Sequence, residues 1–212
     1  MEKLKRLVER PFGELLFAHA VVIGDGATER AFLPPILREA VGSRAHGISV
    51  IDSEGMNDTL VQAVIKFARH AQLPVVVFAD SDTAGADRVR SLASQGLLDE
   101  SAEVVWVGEP GTTSSCSKPG RSIAIERMLI DAAPEACMAA CEAMGTPATD
   151  IGSLLSTMKD LKGTVGATLA REFLLRHPYG DGTDWPEPLR RLAALLREEF
   201  GGHRALADQA AQ

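Results

Sequence analysis

The apolar residues of the first half fall into short, β-branched runs separated by stretches with helical spacing. Residues 18–23 (AHAVVI) stop at Gly24-Asp25-Gly26, as a buried strand entering a turn would. Residues 27–41 then carry apolar positions near helical spacing, interrupted by Pro34 and Pro35, which predicts a kink or a short first helix. A second strand is expected at 48–51, closed by Asp52-Ser53-Glu54-Gly55. An amphipathic helix is expected at 59–71, with Leu60, Val64, Phe67 and Ala68 on one face. Residues 74–79 (PVVVFA) are apolar on both faces, the mark of a central parallel strand covered by helices on each side. A helix at 83–94, capped near Gly96, and a fourth strand at 104–107 complete the alternation. Strands alternating with helices predict an open α/β sheet.

After Glu109 the pattern changes. Residues 110–120 form a loop rich in Gly, Ser, Thr and Pro, and no strand pattern follows it. Helices are expected at 122–132, 134–144, 151–159, 164–177 and 186–200, several opening on Pro, Thr or Asp. The tail after Gly201 is small and polar and is expected to fray. The division is an α/β unit over 1–115 and an all-helical subdomain over 116–212.

Composition narrows the class without naming a chemistry. A chain of 212 residues with 45% hydrophobic and 24% charged residues is globular, not disordered, collagen-like or coiled-coil. The net charge of -7 excludes a uniformly basic nucleic-acid coat, but leaves a local basic patch or bridging cations as routes to phosphate. Cys116, Cys137 and Cys141 have no paired spacing, and the 137/141 pair sits on one face of a predicted helix, so all three read as small buried hydrophobes. The start, MEKLKRLVER, is charged and is not a signal peptide, and no apolar run is long enough to span a bilayer. A reducing cytoplasm with no membrane association is expected.

The acids supply the candidate chemistry. In open parallel sheets, ligands bind beyond the carboxyl ends of the strands. Three predicted strands end in acid: the first in Asp25, with Glu29 one helical turn on; the second in Asp52 and Glu54; the third in Asp80-Ser81-Asp82. Each pair alone has an ordinary explanation, since Asp caps helices, Glu favours a first turn, and Asp52 and Glu54 suit a turn. Two acidic pairs at two strand ends of one sheet carry more weight. Crowded carboxylates repel one another, and a hard divalent cation with oxygen ligands neutralises them. Magnesium is the expected ion. Gly24-Asp25-Gly26 matches neither dinucleotide nor P-loop glycine signatures, which disfavours a nucleotide-binding domain.

This arrangement resembles a TOPRIM domain, the metal-binding fold of topoisomerases, primases and several nucleases. More specifically it is similar to the OLD (overcoming lysogenization defect) family of nucleases. The resemblance rests on Leu15-Leu16-Phe17-Ala18 before the first strand, on Asp25-Gly26-Ala27-Thr28-Glu29-Arg30 and Phe32-Leu33-Pro34 after it, and on VVFADSD at 76–82. It is strongest from about residue 15 to 90. It implies a TOPRIM-type, mostly parallel open sheet with flanking helices, and metal-dependent hydrolysis of DNA phosphodiester bonds.

The resemblance also implies site residues. Asp25, Glu29, Asp80, Asp82 and Glu126 would hold two magnesium ions, with Mn2+ or Ca2+ able to substitute. Lys162, in a Lys-Gly pair ahead of a helix, would neutralise charge on the phosphate, with Lys159 and Lys118 as rivals. Lys162, Glu29 and Asp80 are thus the expected catalytic groups. Asp25 departs from the family, which has Glu there, so the reach of that ligand is one methylene shorter. Arg121 and Arg127, flanking Glu126, are the first DNA contacts expected among a wider set that includes Arg88, Arg90, Arg171, Arg176, Arg190, Arg191, Arg197 and Arg204.

OLD proteins carry an amino-terminal ATPase domain, and no Walker A sequence is present here. The expected partners are therefore DNA and an ATPase domain of a longer polypeptide, with homo-oligomerisation through that missing region. Other TOPRIM chemistries, a primase or an RNA maturation nuclease, remain alternatives, as does a catalytically degenerate binding module. A topoisomerase needs a tyrosine nucleophile, and the single tyrosine, Tyr179, lies in a loop outside the matching region.

Overall fold

A computed structural model describes residues 12–53, 58–98, 102–110, 124–180 and 183–210. A short helix α1 (Phe12–Leu15) leads into β1 (Ala20–Gly24), α2 (Ala27–Val41), a 3-10 turn (Gly42–Gly47) and β2 (Ile48–Asp52). There follow α3 (Asp58–His70), β3 (Val75–Ala79), α4 (Thr83–Ser94) and β4 (Ala102–Trp106). The remaining elements are helices: α5 (Ile125–Ala132), α6 (Pro134–Ala143), α7 (Ile151–Asp160), α8 (Gly166–Arg176) and α9 (Glu187–Ala210). No helix among the described residues is long and apolar enough to cross a membrane.

The four strands form one sheet in the order β2-β1-β3-β4, and every pairing is parallel. The two inner strands are buried at every position, as their unbroken apolar runs require. Alternation along the strands sends side chains to two separate cores. Val21, Ile23, Val75 and Val77 meet α3 and α4 through Val61, Val64, Ile65, Val89 and Leu92. Ala20, Val22, Val76 and Phe78 face α2 and, through it, the carboxy-terminal helices in one continuous apolar cluster.

Helix α2 runs on through Pro34 and Pro35 instead of ending early. Each proline removes a helical hydrogen bond and costs roughly 3 kcal/mol or more. Phe32, Leu33, Ile36 and Leu37 lie on either side of the pair and are fully buried. Their burial, at roughly 1.5–3 kcal/mol each, holds the segment helical against that cost. The prolines themselves take the half-buried positions between them.

Helix α8 lies against α2. Gly166 is the close approach: a Cβ there would stand 2.7 Å from the Thr28 carbonyl and 2.8 Å from the Ala31 Cβ. Phe173 meets Phe32 edge to face at 6.0 Å and Trp185 at 5.6 Å, and the Trp185 indole donates to the His177 carbonyl at 2.9 Å. Tyr179 packs edge-on against Trp185 and beneath the Arg197 guanidinium, which donates from α9 to the Ala40 carbonyl at the end of α2. That bond satisfies a carbonyl the helix leaves without an internal partner. Tyr179 is therefore a packing residue.

Cys137 and Cys141 are buried on α6, as expected, and burial pushes the Cys137 thiol well above its ordinary value. Cys116 lies outside the described residues. Helix α9 continues to Ala210, past the point where fraying was expected at Gly201. The Ala- and Leu-containing sequence from 205 to 210 has the intrinsic propensity to extend a helix already started.

Candidate metal centre

Parallel pairing brings the carboxyl ends of all four strands to one rim of the sheet. Gly24, the last residue of β1, pairs with Asp52 on one side and Phe78 on the other. Asp25 and Asp80 leave neighbouring strands there. Ser53, directly after β2, donates its backbone N–H to the Gly24 carbonyl at 3.0 Å and its hydroxyl to the Asp25 carbonyl at 3.2 Å, which pins the turn.

Glu29 folds back over that turn. Its carboxylate accepts from the Gly26 N–H at 3.1 Å, satisfying a donor at the start of α2. The side chain is 3% exposed, and its Cβ lies 2.7 Å from the position a Cβ on Gly24 would take. Glycine at 24 is thus what makes room for the acid. Burial pushes the Glu29 carboxyl up to about 8; backbone hydrogen bonding opposes the rise, Glu126 and Asp25 add to it, and Lys162 lowers it.

Asp80 follows β3 and has a buried Oδ1 with no hydrogen-bond partner. Burial also raises its carboxyl to about 8, reinforced in turn by the charges of Glu29, Asp25, Glu126 and Asp82. Asp82 caps α4 by accepting from the Gly85 N–H at 2.6 Å. A side chain at Gly85 would run into the Asp80 carbonyl, so this glycine sets how closely the helix approaches the strand end.

Glu126 stands in the first turn of α5, 5% exposed, and accepts from the Thr28 hydroxyl at 3.1 Å. Asp25 receives Arg88 of α4 at 3.3 Å. Burial raises the Asp25 carboxyl; Arg88 and then Lys162 pull it back, while Asp82 and Asp52 push it further up. Lys162 reaches the site from the turn after α7. Its Cε lies 3.6 Å from where a Cβ on Gly26 would sit, and the Glu29 Oε2 lies 3.7 Å from the same point. The next residue, Gly163, adopts a left-handed conformation at φ +89 and packs against Ala27, fixing that turn on the start of α2.

The structure therefore brings Asp25, Glu29, Asp80, Asp82, Glu126 and Lys162 into one electrostatic neighbourhood. Arg127 instead pairs with Asp131 on its own helix at 2.8 Å, and Lys159 is exposed on α7. Arg121, Lys118 and Glu54 lie outside the described residues. Asp52 ends β2 and acts on Asp25 through its charge. Thr28 and Ser53 are additions that sequence reasoning did not single out for the site, and Arg88, expected only among the wider set of DNA contacts, is found paired with Asp25. Thr28 and Ser53 each neighbour a candidate acid, which was the available signal.

Among the described residues, no three Asp, Glu, His or Cys side chains are already drawn together as a ligand set. Four acids are instead turned onto protein donors: Asp25 onto Arg88, Glu29 onto Gly26, Asp82 onto Gly85 and Glu126 onto Thr28. The donor set nonetheless fits a hard divalent cation. It is all oxygen, Glu29 and Glu126 are buried and the three aspartates half-buried, two of its carboxyls resist ionisation without a counter-charge, and Asp80 keeps an unused oxygen.

Comparison with known proteins bears on the fold that carries this site. Residues 16–82 match the sequence family described as "Overcoming lysogenization defect protein-like, TOPRIM domain". No curated protein sequence matches the chain. Its fold is similar to the solved C-terminal region of the Xanthomonas campestris pv. campestris OLD protein, with a TM-score of 0.54 at 16% identity, covering 94% of this chain and 100% of that one. A TOPRIM domain is a nucleotidyl-transfer and nuclease-type domain, and such domains generally bind divalent metals. Residues 16–82 thus resemble the TOPRIM domain of OLD-like proteins, in a chain whose fold is similar to that of an OLD protein's carboxy-terminal region.

Proposed function

We propose that this chain is a metal-dependent endonuclease that hydrolyses DNA phosphodiester bonds. The observation that carries the reading is Asp80, whose buried, unpartnered Oδ1 is a suitable ligand atom for a hard cation at the rim where four other acids lie. Asp25, Glu29, Asp80, Asp82 and Glu126 are the proposed holders of magnesium. Bound there, divalent cations supply an activated water and stabilise charge on the departing 3′-oxygen. Lys162 places a compact positive charge beside the phosphate as negative charge develops. Glu29 and Asp80 retain protons near neutral pH and give them up as cations arrive.

The α/β unit over 1–115 supplies four of the acids in this reading, and the helical subdomain over 116–212 supplies Glu126 and Lys162. The wider protein includes an ATPase domain and works on DNA in the cytoplasm. Replacing Asp80 with Ala should abolish magnesium-dependent plasmid nicking, and undiminished nicking would sink the assignment.

A second reading, a metal-free binding module, is favoured by the Arg88 cation already seated on Asp25. Calorimetric titration with Mn2+ separates the two, because a degenerate site takes up no metal at micromolar to millimolar concentration.

A further inference from the structure

Several arginine–carboxylate pairs among the described residues are local. Arg90 pairs with Asp87, Arg127 with Asp131, and Arg171 and Arg176 with Glu172, each within one helix. Arg88 differs, since it reaches across 63 residues to a candidate metal ligand. It stands in the second turn of α4, the helix that begins directly after Asp80-Ser81-Asp82, so its backbone is fixed to the same rim.

The contact is a weak one. Charge-assisted bonds of this type run at about 2.7–2.9 Å and are often two-pronged. Here a single nitrogen, Nη1, meets a single oxygen at 3.3 Å. The Arg88 side chain is 37% exposed and that of Asp25 16%, so the guanidinium approaches a mostly buried carboxylate from the solvent side. A part-exposed pair of this kind contributes little to stability. Four of the five N–H donors of an arginine are left uncommitted by such a contact, in a fork that matches phosphate oxygens.

Two groups therefore compete for Asp25. A divalent cation in the site takes the carboxylate as a ligand and repels the guanidinium beside it. A phosphate brought to the same rim offers the guanidinium a better acceptor than the one it loses.

We propose that Arg88 is an exchangeable counter-ion: it neutralises Asp25 in the metal-free protein and passes to a substrate phosphate when the cation binds. The inference rests on the nuclease reading and adds to it a phosphate-contacting residue whose release is coupled to metal loading. The coupling has an order. Metal and phosphate favour each other through Arg88, and each alone works against the resting ion pair.

The test measures two affinities on the full 212-residue chain as wild type, Arg88→Ala, Arg88→Gln and Arg88→Lys. Mn2+ binding without DNA is followed by electron paramagnetic resonance of the free ion. Binding of a fluorescent duplex oligonucleotide in Ca2+ is followed by anisotropy at several salt concentrations. Both neutral variants should bind Mn2+ about threefold or more tightly, because one repelling unit charge is gone. The same variants should bind DNA more weakly, with the salt slope reduced by about 1. Arg88→Lys keeps the charge and should stay close to wild type for Mn2+.

Opposite signs for the two ligands support the exchange. A residue that merely holds the fold would weaken both, and that result, or unchanged Mn2+ affinity in both neutral variants, overturns the inference while leaving the nuclease reading intact. Arg88→Gln keeps the three-carbon stem and a polar end, so a folding defect confined to Arg88→Ala does not block the measurement. Failure of the wild type to bind Mn2+ overturns the nuclease reading, and the inference with it.

Discussion

Thr28 donates its hydroxyl to the Glu126 carboxylate at 3.1 Å, a buried contact between residues 98 positions apart. It joins the first turn of α2 to the first turn of α5 and so ties an acid of the helical half to the rim of the sheet. Replacing Thr28 with Val keeps the shape and removes the donor. A buried carboxylate left without its partner costs about 1–3 kcal/mol. Thr28→Val should lower the midpoint of urea unfolding and weaken Mn2+ binding, and Thr28→Ser should restore both. Wild-type metal affinity in Thr28→Val would show that the bond does not place Glu126.

The pH dependence of stability follows from Glu29 and Asp80. Their folded values, about 8 for each, lie above the ordinary 4.5 and 3.8. Between those limits the folded chain holds protons that the unfolded chain releases. Their contribution is full below the ordinary carboxylate range and is lost as pH rises through about 8. In EDTA the melting temperature should fall from about pH 5 to pH 8.5, and saturating Mg2+ should flatten the decline at its alkaline end. A metal-free profile that rises over this interval in wild type, and does not change in Glu29→Gln, would contradict the assignment.

Asp80→Asn separates stability from function. The amide is neutral at every pH and nearly the same size, so the repulsion from Glu29, Asp25, Glu126 and Asp82 disappears. At pH 8.5 without metal the variant should melt about 3 °C or more above wild type, the shift that ~1 kcal/mol gives in a chain of this size. Its magnesium-dependent nicking should be lost. A variant both less stable and active would mean that Asp80 is a structural acid.

Gly166 offers a test of the packing beneath the site. Alanine in a helix is ordinarily favoured over glycine by about 0.5–1 kcal/mol. At Gly166 the added methyl would meet the Thr28 carbonyl and the Ala31 Cβ inside contact distance. Gly166→Ala should therefore destabilise by about 1–3 kcal/mol, read by chemical denaturation. Because the strain falls on Thr28, Mn2+ affinity should drop as well.

Much of this molecule could be read before its structure. The β3 run is apolar on both faces, and it is buried at every position. Helix α4 occupies the predicted 83–94, since its Asp82 cap and its glycine end are both local signals. The persistence of α2 through Pro34 and Pro35 was not legible, because the burial of Phe32, Leu33, Ile36 and Leu37 depends on α8 and α9, which are remote in sequence. In the site, the acids at strand ends announce themselves by position. The pairing of Arg88 with Asp25 does not, because the helical pattern marks Arg88 only as one of many possible phosphate contacts and not as the arginine the Asp25 turn will meet. Glu126 and Lys162 could be named only through the family resemblance, since local pattern gives no sign that α5 and the turn after α7 come back to the rim.

The parallel sheet also has a far rim. All four strands begin there, so the turn at Gln72, where the backbone is left-handed at φ 55, and the exposed turn at Gln95 and Gly96 both precede strand starts, on the side away from Asp25 and Asp80. A purification tag, a fluorophore or a whole reporter protein spliced at Gln95–Gly96 would ride on that side. The chain thus offers a handle on the side of the sheet opposite the acidic rim.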